Sequence, residues 1–293
     1  MSQSRDAAFA GPGGEPSPPA QVPAVRIRPS RGWVPLRLHD LWEYRELLYF
    51  LAWRTIRVRY KQTLLGAGWA IAQPLFTMGV FTLVFARFAG VPSDGVPYPL
   101  FAFCGLLPWQ LFAQSLGDSS NSLVNSGQLI AKVYFPRLVI PCSTALIALL
   151  DFAVAGTVLA AMMAFYRVVP TGRLLLLPLL IALALALAIG AGLWLSALNV
   201  RYKDVRHLLP LLTQIWLLAT PVAYPGSLVP ERWRFLLSLN PLAGVVEGFR
   251  WALLGTPTAV GSLLPPSCVM AAVLLLSGAA YFRRMERTFA DML

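Results

Sequence analysis

The residues able to do chemistry are few, and their spacing argues against catalysis. Both histidines, His39 and His207, stand beside apolar runs, and the acids Asp94, Glu231 and Glu247 form no close carboxylate pair in the sequence. General acid–base work needs titratable groups gathered where a polar substrate reaches them, and a membrane-embedded glycosyl or acyl transferase would need more than these. Cys104, Cys142 and Cys268 lack metal-ligand spacing, so neither a metal site nor a disulfide framework is expected. No GxxxxGK[ST] loop occurs, so this chain does not hydrolyse ATP in the P-loop manner. Two features remain. Arg54, Arg57, Arg59 and Lys61 lie close together. Arginine's planar fork suits phosphate, although anchoring to anionic lipid explains such a cluster equally well. Asp151 falls mid-way along an apolar run, where a lone charge is costly. It is either functional or a hydrogen-bonded clamp between helices, and Thr77 and Gln214 lie at suitable depth to be its partner.

These residues must be positioned by helices in a membrane. Of 293 residues, 57% are apolar and 13% charged, and the mean hydropathy is +0.63, a balance that describes an integral membrane protein. The net charge of +11 gathers at the ends of apolar runs, which makes it a topology signal and not a nucleic-acid footprint. Runs long enough for ~30 Å of hydrocarbon occur at about 69–88, 97–116, 138–165, 174–198, 207–224 and 263–282. They predict an all-α protein with six transmembrane helices and both termini on one side. With those termini in the cytoplasm, eighteen Lys and Arg residues lie inside and six outside, as the positive-inside rule requires.

Three stretches between and before the spans carry further signals. Residues 1–35, rich in Pro, Gly and Ala, read as a disordered cytoplasmic tail. Residues 36–62 predict an amphipathic interfacial helix. Glu43, Glu46, Arg54, Arg57 and Lys61 share one arc and Leu47, Leu48, Leu51 and Val58 another, while Trp42, Tyr44, Trp53 and Tyr60 act as headgroup anchors and Arg45 and Arg59 fall off the polar arc. Residues 63–293 form the six-span domain. Within it, 117–141 is too polar for lipid and reads as either a loop or a docking helix over 129–137 that Pro136 stops. The proline-rich stretch 221–261 predicts a re-entrant or interfacial helical pair on the outer side. Asn240 and Pro241 open its second helix, Gly255 follows it, and Glu247 pairs with Arg250.

Four blocks carry a resemblance: RVRYKQTLLGAGWAIAQPL at 57–75, KVYFPRLVIP at 132–141, NVRYKDVRHLLP at 199–210 and VPERWRFLLSLNPLAGVVEGFRW at 229–251. In this order and at these places, the chain over about 41–287 resembles the permease subunit of O-antigen and teichoic-acid type ABC exporters. The resemblance implies a homodimer in the bacterial inner membrane, joined by two copies of a separate ATPase that binds the ATP and Mg, exporting an undecaprenyl-diphosphate-linked polysaccharide. It implies no cofactor on this chain. It places Leu129, Lys132, Val133, Tyr134, Phe135, Pro136 and Arg137 at the ATPase contact, with Phe135 expected to be the buried anchor there. Arg54, Arg57, Arg59 and Lys61 would then meet the carrier diphosphate. A sliding glycan favours polar and aromatic stripes, which Gln73, Thr77, Phe81 and Phe85 form on the first span and Thr213, Trp216, Thr220 and Tyr224 on the fifth, although helix packing explains such stripes too. A permease for a small lipid or drug, and a membrane-bound transferase, are the competing readings.

Overall fold

Long Leu- and Ala-rich stretches satisfy every backbone group within one segment when helical, which is the requirement lipid imposes. The computed structural model describes residues 42–61, 68–132, 135–170, 172–256, 260–286 and Phe289, and among them all regular structure is helical. The chain begins with α1 (Arg45–Lys61). It continues through α2 (Gly68–Phe81), whose last turns widen into a π-helix at Thr82–Phe88, to α3 (Tyr98–Asn125), α4 (Gly127–Lys132) and α5 (Val139–Phe165). A 3₁₀ turn at Gly172–Leu176 leads into α6 (Leu177–Arg201), followed by α7 (Val205–Ala219), α8 (Glu231–Leu239), α9 (Pro241–Leu253) and α10 (Val260–Met285). The proposed tail over 1–35 lies outside the described residues.

Five helical stretches are long and apolar enough to cross a membrane: Gly68–Phe88, Tyr98–Asn125, Val139–Phe165, Gly172–Arg201 and Val260–Met285. Where the sixth crossing is expected, over 207–224, the helix is α7, which has only 15 residues and ends at Ala219, ~22 Å at 1.5 Å per residue. It stops because Pro221 forces the residue before it out of the helical region, and Thr220 is extended with φ −93° and ψ 139°.

The centre of the bundle is α3, of whose most apolar stretch 78% is buried, against 28% for α5, α6 and α10 and 6% for α2. Its polar half, expected to leave the lipid, instead prolongs the helix to Asn125. The polar groups are satisfied there: Asn121 and Ser122 donate to carbonyls of their own helix, and Asn199 of α6 donates to the Ser120 carbonyl at 3.0 Å and to Asn121 Oδ1 at 3.1 Å. Small residues let α6 approach on both sides. A Cβ on Gly192 would sit 2.5 Å from Ser119 Oγ, and one on Gly278 of α10 would sit 2.3 Å from the Gly190 carbonyl oxygen. Next to that crossing, Trp194 stacks on Tyr281 at 4.1 Å and donates to Ser277 Oγ at 3.1 Å.

The outer pair has the expected local chemistry. Asn240 caps α9 by accepting from the Leu242 amide at 3.1 Å, Pro241 opens the helix, and Gly255 follows it at φ 71°. All of α9 from Pro241 to Arg250 is buried, against α10, α3 and α6, whereas most of α8 is exposed.

Because nothing between α6 and α10 can yield at their crossing, Gly278→Val is expected to cost at least ~2 kcal/mol of stability. Gly156→Ala, where an added methyl meets nothing within 4 Å, should be neutral or slightly stabilising. Thermal unfolding of the two purified variants in one detergent measures the difference.

Candidate functional site

The site is built where α1 meets the bundle. The arc of Glu43, Glu46, Arg54, Arg57 and Lys61 is exposed, Leu47 and Leu48 are half-buried and Leu51 is buried, while Val58 faces outward at 54% exposure. α1 runs alongside α5. Leu51 shares a buried apolar cluster with Ile140, whereas Arg59 and Tyr60 reach Asp151, ~16 Å further along α5 at 1.5 Å per residue.

Arg59, the residue that broke the amphipathic pattern, turns inward. Its Nη2 donates to Asp118 Oδ2 of α3 at 2.9 Å and its Nη1 to Asp151 Oδ2 of α5 at 3.1 Å. Asp151 also accepts from the Tyr60 hydroxyl and the Gln114 amide. Burial and the Asp151 carboxylate push the Tyr60 hydroxyl up to about 12, so it stays a proton donor at physiological pH. The partners of Asp151 are therefore Arg59, Tyr60 and Gln114, and not Thr77 or Gln214. Thr77 donates to the Gln73 carbonyl at 3.0 Å, and Gln214 is exposed. The clamp expected of Asp151 runs to a helix that periodicity had placed at the surface, together with two residues, Gln114 and Asp118, whose only signal was polarity within an apolar run. The same geometry corrects the phosphate assignment: Arg59 is committed to two carboxylates, and Arg54, Arg57 and Lys61 are the exposed cations.

Beside this node lies a partly open cavity of about 580 Å³ between α1, α2, α3 and α5. Gln73 and Thr77 of the first stripe line it, whereas Phe81 and Phe85 pack edge to face at 5.4 Å in a cluster with Tyr98 and Phe101. The second stripe turns into the protein's own packing. Thr220 is fully buried, and its hydroxyl accepts from Asn240 Nδ2 at 2.9 Å. The Trp216 indole donates to Asn240 Oδ1 at 3.0 Å, and its ring stands edge-on to Phe112 at 5.0 Å. Thr213 donates to carbonyls of its own helix, Tyr224 is half-buried, and Leu217 is the α7 residue that lines the cavity. Thr220 is thus no lining residue: its depth in the fold leaves no surface to offer.

At the other end of the bundle, the expected docking helix shortens to α4. Leu129 is half-buried and Lys132 exposed, while Val133 and Tyr134 lie outside the described residues. Phe135 is 6% exposed and buried with Ile130, Leu138, Val200 and Phe282 of its own chain, so it cannot also be the anchor inserted into a partner. Pro136 is half-buried; the Arg137 amide donates to Glu286 Oε1 at 3.1 Å, and its guanidinium donates to the Glu286 carbonyl and lies 5.9 Å from the Phe289 ring.

In α9, the predicted Glu247–Arg250 pair forms at 3.1 Å with both side chains at most 1% exposed. Arg250 donates to the carbonyls of Pro221 at 2.6 Å and Val222 at 2.5 Å and covers the Phe101 ring at 3.6 Å. Glu247 accepts the Gly226 amide at 2.9 Å. Together they hold the chain where α7 breaks. Gly105 makes room for them, since a Cβ there would lie 2.6 Å from Arg250 Nη2.

Removing one partner of a buried charge pair strands the other. Arg250→Met should therefore destabilise the protein by ~3 kcal/mol or more, and adding Glu247→Gln should recover part of that loss. Arg59→Met, at a half-exposed node, should cost less than Arg250→Met. Denaturation of the four proteins in detergent tests the order.

Comparison with known proteins gives this arrangement its family. The O-antigen export system permease protein RfbA of Myxococcus xanthus is 28% identical over 257 residues, which is 87% of this chain and 98% of that protein. The RfbA protein of Klebsiella pneumoniae is 28% identical over 249 residues, 85% of this chain and 95% of its own. The polysialic acid transport protein KpsM of Escherichia coli is 26% identical over 251 residues, 80% and 91% respectively. The family model for ABC-2 type transporters matches residues 46–254, from α1 through α9. With helices of membrane-spanning length inside that match and the amphipathic helix at its start, the chain belongs to the ABC-2 type transporter family as one of its membrane permeases.

Proposed function

We propose that the chain is the membrane subunit of an ATP-driven exporter that moves a polyprenyl-diphosphate-linked polysaccharide of the O-antigen class out of the bacterial cytoplasm. The observation that carries this reading is the near end-to-end match to the RfbA permeases, which covers 98% of the Myxococcus protein. Residues 63–293 form the translocating domain, in which α7, with the irregular Thr220–Tyr224 stretch behind it, makes a sixth crossing and α8 and α9 form the re-entrant outer pair. Both termini lie in the cytoplasm, residues 1–35 as a tail, in keeping with the distribution of basic residues. Residues 36–62 enter from the inner interface, and α1 then follows α5 inward.

Lacking a phosphate-cradling loop, the chain takes its energy from a separate ATPase, two copies of which serve a homodimer. The ATPase meets the exposed side of α4, where Gln128 and Lys132 stand. Exposed apolar faces on α2, including Phe76 at 73% and Phe88 at 78%, and on α7, including Ile215 at 57%, are available to the second copy and to lipid. Arg54, Arg57 and Lys61 draw the carrier diphosphate to the inner opening, and Gln73 and Thr77 meet the glycan behind it.

Coexpression with its ATPase should yield a stable complex whose hydrolysis rises severalfold with lipid-linked glycan and not with the same glycan cut from its lipid. Changing Arg54 and Arg57 together to Lys should raise the concentration for half-maximal stimulation about tenfold, because an ammonium keeps the charge but loses the fork. An unchanged concentration would assign the two arginines to lipid anchoring alone.

A further inference from the structure

The cavity beside the Arg59 node has a lining that the phosphate and sliding-stripe roles use only at Gln73 and Thr77. Trp109 forms part of its wall and is only 5% exposed, yet its indole N–H has no hydrogen-bond partner among the described residues. The side-chain amides of Gln110, half-buried, and Gln73, at the rim, are likewise without protein partners there. Polar groups that face a cavity and not the protein are satisfied by what fills it, so these three converging on a space of about 580 Å³ suit a hydrogen-bonding occupant. Trp69 and Tyr60 add aromatic faces to the same wall.

The charge of the wall selects among polar occupants. Arg59, the guanidinium in the wall, is bonded to Asp151 of the wall and to Asp118 behind it, so no uncommitted cation among the described lining residues draws a diphosphate. Asp151 is itself occupied, accepting from Arg59, Tyr60 and Gln114. What remains are amide and indole donors beside aromatic faces, which suit hydroxyl groups on a ring with an apolar face. An acyl chain would strand those donors.

From this we infer that the cavity between α1, α2, α3 and α5 is a binding site for an uncharged sugar residue, held by Trp109, Gln110 and Gln73, and separate from the exposed cations that meet the carrier diphosphate. The inference rests on the export reading and adds to it a division of labour: the diphosphate stays at the inner surface with Arg54, Arg57 and Lys61, while the first sugar reaches inward past Tyr60. Anionic sugars find no uncommitted cation there among the described residues to offset their charge.

Equilibrium binding to the full chain in lipid nanodiscs tests this with three labelled probes: undecaprenyl diphosphate, the same carrier bearing one N-acetylhexosamine, and the carrier bearing one uronic acid. The native protein should bind the N-acetylhexosamine carrier about tenfold more tightly than the bare carrier, and the uronic acid carrier no more tightly than the bare one. Gln110→Leu and Trp109→Phe should each cut the ratio of sugar-bearing to bare affinity about fivefold, the effect of one neutral hydrogen bond. A native ratio near one, an equal gain from the uronic acid, or ratios retained by both variants would overturn the sugar site while leaving the export reading in place. Failure of the native protein to bind any of the three carriers would overturn both.

Discussion

Arg59 between Asp118 and Asp151 is the interaction on which the packing of α1 against the bundle depends. Arg59, on a short helix, joins two carboxylates on different long helices, and among the described residues it is the cation bonded to either. Two acids facing a low-dielectric bundle are tolerable only when paired and hydrogen-bonded, and Tyr60 and Gln114 supply the remaining donors to Asp151. α1 is therefore more than a float at the membrane surface. It is bonded to the central helix α3 and to α5, so a force applied to it is passed to both.

The break at the end of α7 has a parallel solution built from backbone. Where α7 ends, the carbonyls of Pro221 and Val222 have no helical partner, and an unsatisfied carbonyl in a buried setting is costly. Arg250 supplies the missing donors and is in turn neutralised by Glu247, while Gly105 leaves the space they need. The break after α7 is thus made tolerable by a charged side chain delivered from the buried helix α9. Between the two ends, α3, α6 and α10 approach so closely at Ser119, Gly190, Gly192 and Gly278 that their spacing is set by the absence of side chains. A close-packed centre thus carries polar fastenings at either end.

Correction of the docking residues follows from the same economy of polar and apolar surface. Phe135 reads as an exposed anchor because it stands beside Lys132 and Arg137 in a polar stretch. In the fold, its ring completes an internal cluster with Ile130, Leu138 and Phe282, and Arg137 is turned to Glu286 and Phe289 near the end of α10. The polar side of α4, with Gln128 and Lys132, remains exposed. Thr220 and Trp216 changed roles for a related reason: a polar and aromatic stripe serves a route or a helix contact equally well by pattern, and Asn240, twenty residues on from Thr220, decided for contact by bonding both.

The class of protein, the places of the five long helices, the cap at Asn240 and the Glu247–Arg250 pair were legible in the sequence, because each depends on residues adjacent along the chain: apolar run length, a proline after a capping side chain, a three-residue spacing on one helix face. The length of α7 was also written locally, in Pro221, but was outweighed in reading by the hydropathy of 207–224. What only the tertiary structure decided are the pairings between distant residues. That Arg59 finds Asp118 and Asp151, that Phe135 is filled in by α6 and α10, and that Trp109, Gln110 and Gln73 surround one cavity all depend on which helix lies beside which. Periodicity along a helix states which residues share a face, and packing alone states what that face meets.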